Sequence, residues 1–255
     1  LWFRKFPEGF YYSGYAHQGA AWLTVALALA TAVLSLVFRG SVLRDPRVKS
    51  LRRLTWIWSI ENALLTVAVY NRLSIYVGFN GMTRMRVVGF LGISAVLIGF
   101  LLVVWKIARN RSFVWLMHRH MWTMSLAIYV FAVTPVDILV VNYNVQRILS
   151  GHRAPSVQIS EQTIDSEGVL FLQPLLSCED QLIREGVRAF LAERYERAQE
   201  TAMRQQSKGW TAFQWSDRLL LKQLSKSNDR WSVFENSQHR NETWQRFRDY
   251  AYQWY

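Results

Sequence analysis

The chain has 255 residues, of which 51% are hydrophobic, and 30 basic against 18 acidic residues give a formal net charge of +12. Residues 1–134 carry 15 of the basic residues and three acids, whereas residues 135–255 carry 15 of each. The excess positive charge thus belongs to the more apolar half, which indicates contact with lipid headgroups and argues against nucleic-acid binding. A single cysteine, Cys178, excludes an internal disulfide.

Four apolar segments predict transmembrane helices. Their approximate bounds are residues 18–38, 54–76, 87–107 and 121–141, each near the ~20 residues that a helix needs to cross a bilayer. Pro135 falls near the end of the fourth segment, where it is expected to end the helix. The sequence therefore predicts an all-α fold with a four-helix transmembrane bundle in residues 1–147.

The basic residues are distributed unevenly over the connections between these helices. The 1–2 and 3–4 connections together carry ten Lys and Arg residues, against four in the N-terminal lead and the 2–3 connection. Because basic loops stay in the cytoplasm, this asymmetry predicts that both termini are extracytoplasmic.

The C-terminal half predicts a small α-helical extramembrane domain. Residues 148–158 form the predicted linker, and residues 159–255 show helical spacing of apolar residues without strand-like alternation. This domain is rich in aromatic residues, which are interpreted either as its core or as contacts with the headgroup layer or a partner subunit. The rings singled out for such contacts are Trp210, Trp215, Trp244, Phe247 and Trp254.

Three segments carry recognisable motifs. They are Pro7–Gly19, the pair Tyr70–Tyr76 and Phe79–Arg86, and a third set formed by Pro135, Asp137, Asn144, Val145 and Arg147. Together these motifs resemble a bacterial family of polytopic membrane proteins catalogued as a domain of unknown function, although Asn80 and Met82 depart from its usual Tyr and Leu.

This resemblance covers residues 7–147 and, more faintly, residues 210–224, and it implies a multi-pass protein of the bacterial cytoplasmic membrane. The chain resembles the C-terminal part of the family, and its start at Leu1 in place of Met leads us to expect further helices upstream. Since the family has no established activity, the resemblance implies topology and not chemistry.

No residue set typical of catalysis or metal binding is recognised. His118 and His120 are two residues apart, so on a helix they point about 200° apart and cannot bind one ion from a single face. Phosphate-binding glycine-rich loops and paired zinc ligands are absent from the sequence. We therefore predict no catalytic residue, no metal and no cofactor, and we do not expect an enzyme.

Polar residues interrupt the second predicted helix and form a candidate intramembrane seam of Glu61, Asn62, Asn71 and Arg72, with Asp137 from the fourth helix. Glu61 and Arg72 are eleven residues apart, so they share a helical face, expected to look inward, but lie about 16 Å apart along the axis. Asp137 is therefore the predicted partner of Arg72. The seam is interpreted either as a set of ion pairs or hydrogen bonds that fix the packing of the helices, or as an ion or proton path through Glu61.

The favoured hypothesis is a non-catalytic integral membrane accessory or scaffolding subunit of a larger complex. Its expected partners are the lipid bilayer and other membrane-protein subunits, with no nucleic acid. The alternative is a transporter or channel module that uses the Glu61/Arg72 seam. A packing role should survive the change of Glu61 to Gln, whereas proton coupling should not.

Overall fold

The computed structural model describes residues 12–37, 49–208, 215–226, 230 and 232–254. Over these ranges the chain is helical without β-strands, which confirms the predicted all-α class. The α-helices are α1 (Tyr12–Val37), α2 (Lys49–Asn80), α3 (Arg84–Arg109), α4 (Phe113–Val133), α5 (Val136–Leu149), α6 (Ser156–Glu161), α7 (Ser166–Val169), α8 (Gln181–Lys208), α9 (Trp215–Ser225) and α10 (Ser237–Tyr252). Short 3-10 helices occupy Leu170–Ser177 and Ser232–Phe234.

The chain divides into two compact units. The first comprises Leu1–Gly78 and Met85–Thr134, and the second comprises Phe79–Arg84 and Pro135–Tyr255. The end of α2, the α2–α3 connection and the first residue of α3 thus belong to the same unit as the C-terminal half of the chain.

The first unit has a small apolar core in which α1, α3 and α4 meet. Its buried members are Leu27, Leu34, Phe100, Val103, Ile107 and Leu116. Lys106 is fully buried beside this core, where its ammonium donates a hydrogen bond to the Ser35 carbonyl (3.1 Å) and lies 5.4 Å from the centroid of the Phe113 ring. A buried ammonium needs such partners, because its desolvation would otherwise disfavour the folded state.

One helix in the described part of the chain is by itself long and apolar enough to cross a membrane. This helix is α3, and only 22% of its most apolar 18-residue window is buried, unlike the core helix of a water-soluble fold. The pair α4 and α5 passes the same test together but is bent by 66°, so the described residues contain one or two such spans. The segment Ala21–Val37 of α1 is apolar but shorter.

The predicted fourth helix, residues 121–141, is two helices in the structure. Helix α4 starts eight residues earlier, where the Ser112 hydroxyl caps it by accepting a hydrogen bond from the Trp115 amide (3.2 Å). It ends at Val133, because Pro135 has no N–H with which to continue the helical hydrogen bonds. Helix α5 then belongs to the second unit, whereas the sequence placed this boundary at residue 147.

The second unit is built around one continuous hydrophobic core. Helix α8 lies at its centre and contacts α9, α10 and the first 3-10 helix, while α5 packs against α6, α7 and the same 3-10 helix. Core residues include Val141, Val145, Ile148, Leu172, Leu175, Ile183, Val187, Leu191, Leu220, Leu224 and Phe247. Ion pairs at the rim, Arg240 with Glu196 (2.6 Å) and Arg248 with Glu161 (3.0 Å), add contacts between helices.

Helices α8 and α10 are in close contact at Gly186. A Cβ atom at this position would lie 2.4 Å from both Cβ and Cγ of Phe247, which is itself completely buried. Only a residue without a side chain fits there, because neither backbone nor ring can move without opening the core.

We predict that Gly186→Ala destabilises the second unit by about 1–3 kcal/mol or more, since overpacking forces the two helices apart. The matched control is Gly92→Ala on α3, where nothing lies within 4 Å of an added Cβ and alanine should be neutral or stabilising by up to about 1 kcal/mol. Urea unfolding followed by circular dichroism measures both changes. Equal stability of the two variants would contradict the close packing of α8 on α10.

Candidate functional site

Helix α2 buries polar residues and exposes apolar ones, the reverse of a helix in a water-soluble protein. Thr55, Ser59, Asn62 and Thr66 are all buried, and their spacing of four, three and four residues places them on one face. The exposed side chains on the other faces are large and apolar, namely Leu54, Trp56, Ile57, Ile60, Leu64 and Val67. Such an inverted pattern is stable where the surroundings are hydrocarbon.

Several polar side chains of the first unit form hydrogen bonds within or between its helices, whereas the buried Ser59 hydroxyl has no hydrogen-bond partner among the described residues. The Thr66 hydroxyl donates to the Asn62 carbonyl (2.9 Å), and the Asn62 side-chain amide donates to the Trp58 carbonyl (2.8 Å). Between α2 and α3, the hydroxyls of Tyr70 and Ser94 form a hydrogen bond of 2.5 Å. Hydrogen bonds of this kind allow polar side chains to remain in a helix that has no access to water.

The predicted seam is split between two faces of α2. Asn62 and Arg72 are buried, as expected for an inward face, but Glu61 and Asn71 are exposed. The expectation that Glu61 looks inward is therefore wrong, although the helical period places it near the angle of Arg72. The reason is that helical spacing fixes which residues share a face of α2, whereas the burial of each residue depends on what packs beside it.

A second cluster of polar contacts surrounds the connection between α2 and α3. The Asn144 side chain accepts a hydrogen bond from the Met82 amide (2.7 Å) and donates one to the Met82 carbonyl (2.9 Å). The Gln158 side chain donates to the Asn80 carbonyl at the end of α2 (2.9 Å). Gly81 has a φ of +80° and would bring a Cβ within 2.7 Å of the Asn144 oxygen, so glycine suits both the backbone and the space. We call residues 80–84 with their side-chain partners the connection cluster.

Arg84 completes the connection cluster with an ionic contact. Its guanidinium binds both carboxylate oxygens of Asp137, and Nη2 also lies 2.7 Å from Asp165. The Asp137 carboxylate additionally accepts a hydrogen bond from the Asp165 amide (2.7 Å). Because the Asp137 side chain is 9% exposed and that of Arg84 is 39% exposed, this is a half-buried, charge-assisted pair rather than a surface pair.

The sequence analysis paired Asp137 with Arg72, whereas the structure shows it bound to Arg84. In the sequence, Asp137 and Asn144 belong to one motif of the family and residues 79–86 belong to another. Neither motif predicts that the two segments contact each other. The sequence did not predict the contact of Gln158 with the end of α2, because a single glutamine in a predicted linker belongs to no recognisable motif. Contacts of this kind depend on tertiary structure and not on local pattern.

The aromatic residues of the C-terminal domain are mostly structural. Phe247 is completely buried and belongs to the core, so its ring is not available to a partner or to lipid. Trp244 is partly buried and packs against this core, where it stacks on Phe190 with ring centroids 5.1 Å apart. Trp254 is 44% exposed and Trp215 is 72% exposed, which leaves both accessible. Trp210 and the beginning of the first motif, residues 7–11, lie outside the described residues.

Asp180 forms a second group of polar contacts in the second unit. It accepts hydrogen bonds from the Leu182 amide at the start of α8 (3.1 Å) and from the Tyr250 hydroxyl, and Arg153 lies 3.5 Å away. Burial and the hydrogen bond to Asp180 raise the pKa of Tyr250, which favours the protonated hydroxyl that donates this bond. The contacts fasten the end of α10 to the start of α8.

Within the described ranges, no group of three or more His, Cys, Asp or Glu side chains is arranged to hold a metal ion. His118 and His120 each form a hydrogen bond with the carbonyl four residues earlier in α4, Val114 and Leu116 respectively, both at 3.0 Å. Cys178 is buried in the core of the second unit. The two histidines are thus bound to backbone carbonyls of their own helix.

These features define a helical protein with an inverted first unit and a conventionally packed second unit. Residues 1–167 match the family model described as Domain of unknown function (DUF4153). This match covers well over half of the chain, so the chain belongs to the DUF4153 family. It includes every residue of the connection cluster, up to Asp165. No curated protein and no solved structure matches the chain.

We predict that Arg84 and Asp137 are energetically coupled. Arg84→Gln and Asp137→Asn should each destabilise the second unit by about 1–3 kcal/mol, because each leaves a partner unsatisfied. The double variant should cost clearly less than the sum. Arg246→Gln is the control, since Arg246 is an exposed arginine of the same unit, and it should change stability by less than about 0.5 kcal/mol. Urea unfolding of the four variants measures the coupling, and strictly additive losses would contradict it.

Proposed function

We propose that the chain is a non-catalytic integral membrane subunit that anchors or stabilises a larger membrane complex. The observation that carries this proposal is the position of Glu61. Its side chain is exposed on α2 between the exposed Ile57, Ile60 and Leu64, and it makes no hydrogen bond or ion pair with any described residue. A carboxylate on an otherwise apolar outer face calls for a partner from outside this chain.

A bilayer location is supported by the apolar exterior of the first unit. Besides the outer face of α2, helix α4 exposes a long series of large apolar residues, which comprises Val114, Met117, Met121, Trp122, Met124, Leu126, Ile128, Tyr129, Val130, Phe131 and Val133. Exposed apolar surface of this extent is unfavourable in water. In the hydrocarbon core of a bilayer, exposed apolar surface carries no free-energy penalty, and polar groups are favoured inside the protein instead.

On this proposal, helices α1 to α4 are four membrane spans, and α4 replaces the segment predicted at 121–141. The basic residues of the α1–α2 and α3–α4 connections assign those connections to the cytoplasm and both termini to the other side of a bacterial cytoplasmic membrane. The α2–α3 connection is bonded to Asn144 and Gln158 of the C-terminal half. These bonds support a common side for the connection and that half.

Glu61 would then meet either a basic or a hydrogen-bonding residue of a neighbouring membrane subunit. A charged side chain at bilayer depth costs roughly 2.5–3.5 kcal/mol on insertion scales, so an unpartnered carboxylate disfavours the isolated chain. A partner that supplies a cation or a donor removes this cost. Association is therefore coupled to burial of Glu61.

A second candidate function, a transporter or channel module, is favoured by the buried polar stripe on α2. Thr55, Ser59, Asn62 and Thr66 could line a polar path along the helix, with buried Arg72 further along it. Glu61 lies outside this stripe, so a path would use the hydroxyls and amide in place of a titrating carboxylate. Loss of ion or solute flux in Asn62→Leu, with Glu61→Gln unaffected, would favour this candidate.

We predict that Glu61→Gln reduces the yield of partner subunits recovered with the chain after gentle detergent extraction by about ten-fold, as expected for the loss of a desolvated charge pair worth about 1.4 kcal/mol. Glu179→Gln, which changes an exposed carboxylate of the second unit, is the matched control and should leave recovery unchanged. Mass spectrometry of the extracted complex gives the yields. Recovery of the chain without any stoichiometric partner, in wild type and variant alike, contradicts the subunit proposal.

We predict that spin labels attached to Leu64→Cys and Val67→Cys collide with oxygen dissolved in lipid and are protected from a water-soluble nickel reagent. Both positions are exposed on the apolar face of α2. A label at Met203→Cys on α8, which is exposed in the second unit, is the control and should show the opposite preference. Nickel accessibility at 64 and 67 equal to that at 203 would exclude a lipid-facing α2.

A further inference from the structure

Helix α9 presents two chemically different faces. Its inner face contributes Leu220 and Leu224 to the core of the second unit, with exposures of 3% and 0%. Its outer face combines aromatic, aliphatic and basic side chains, all of them exposed, at positions three or four residues apart. These are Trp215, Arg218, Leu219 and Lys222, followed by Lys226 in the turn directly after the helix.

These five positions fall within one arc of about 100° on a helical wheel, opposite to Leu220 and Leu224. The acidic residue of α9, Asp217, is not part of this arc. Its carboxylate accepts a hydrogen bond from the Ser166 hydroxyl (2.6 Å) on α7. The outer face of α9 therefore carries three cations, Arg218, Lys222 and Lys226, on the arc opposite to its core residues.

We propose that this outer face binds anionic lipid headgroups at the membrane surface. The inference rests on the proposed membrane location of the chain and adds a second, peripheral contact with the bilayer. Trp215 is 72% exposed, and a tryptophan ring with its polar N–H is favoured at the boundary between headgroups and acyl chains. Leu219 lies one turn away, and Arg218, Lys222 and Lys226 supply the charge that attracts anionic lipid.

The composition of the face favours lipid over a protein partner. Lysine is depleted from protein–protein interfaces, whereas basic residues next to a tryptophan are typical of helices that lie on membranes. The apolar part consists of one indole ring and one leucine, which is little for a stable protein interface. Each cation near an anionic surface contributes an approximately five-fold preference, so three cations favour the docked state strongly.

The test uses the full chain in lipid nanodiscs, with an environment-sensitive fluorophore on Leu219→Cys in a Cys178→Ala background. In discs that contain anionic lipid, we expect a blue-shifted emission and a several-fold lower quenching constant for acrylamide than in purely zwitterionic discs. The charge variant Arg218→Gln/Lys222→Gln/Lys226→Gln should abolish this difference. The changed side chains are all exposed, so the variant should keep the helical circular dichroism of the parent.

A fluorophore at Met203→Cys on α8 is the matched control and should respond to neither lipid. Equal quenching of the position-219 fluorophore in both kinds of disc, with the chain fully incorporated, overturns the α9 proposal and leaves the proposed function intact. Protection that requires no anionic lipid but rises with protein concentration also overturns it, in favour of a protein partner. A chain that does not enter discs and stays in solution overturns both.

Discussion

Polar groups that cannot reach water are costly unless they form hydrogen bonds inside the protein, and most hydrogen bonds described for the polar side chains of α2 meet this constraint. On α2, the hydroxyl of Thr66 and the amide of Asn62 use carbonyls of their own helix, while Tyr70 bonds to Ser94 of α3. The outer faces of α2 and α4 can then be mostly apolar. Glu61 is an exposed carboxylate of α2 that forms no hydrogen bond or ion pair with a described residue, and this supports the proposed association with another subunit.

The second unit follows the rules of a water-soluble domain. Its core is hydrophobic, its helices are joined by surface ion pairs such as Arg240 with Glu196, and a close contact between α8 and α10 depends on Gly186. The connection between α2 and α3 belongs to this unit, where Asn144 and Gln158 satisfy backbone groups of residues that lie more than 60 positions away. All residues of this cluster fall inside the region that defines the DUF4153 family.

The sequence predicted the helical class and the approximate positions of the first three helices, because long apolar segments and helical periodicity are local properties. It did not predict that the chain would turn at Pro135 and send α5 into the second unit, since Val136–Leu149 is apolar enough to continue a span. It gave the correct face for Arg72 but not for Glu61, because burial depends on neighbouring helices. Trp244 and Phe247 were open to two interpretations, and only tertiary contacts place Phe247 in the core and Trp244 against it.

The measurement that tests the central claim most directly is alkaline carbonate extraction of native membranes followed by flotation on a density gradient. We expect the full chain to float with the lipid after the alkaline wash and to be released only by detergent, because the outer faces of α2 and α4 in the first unit are mostly apolar. Release of the chain into the supernatant as a soluble, monodisperse protein would contradict the account, since the exposed apolar faces of α2 and α4 would then have to be covered by something other than a bilayer.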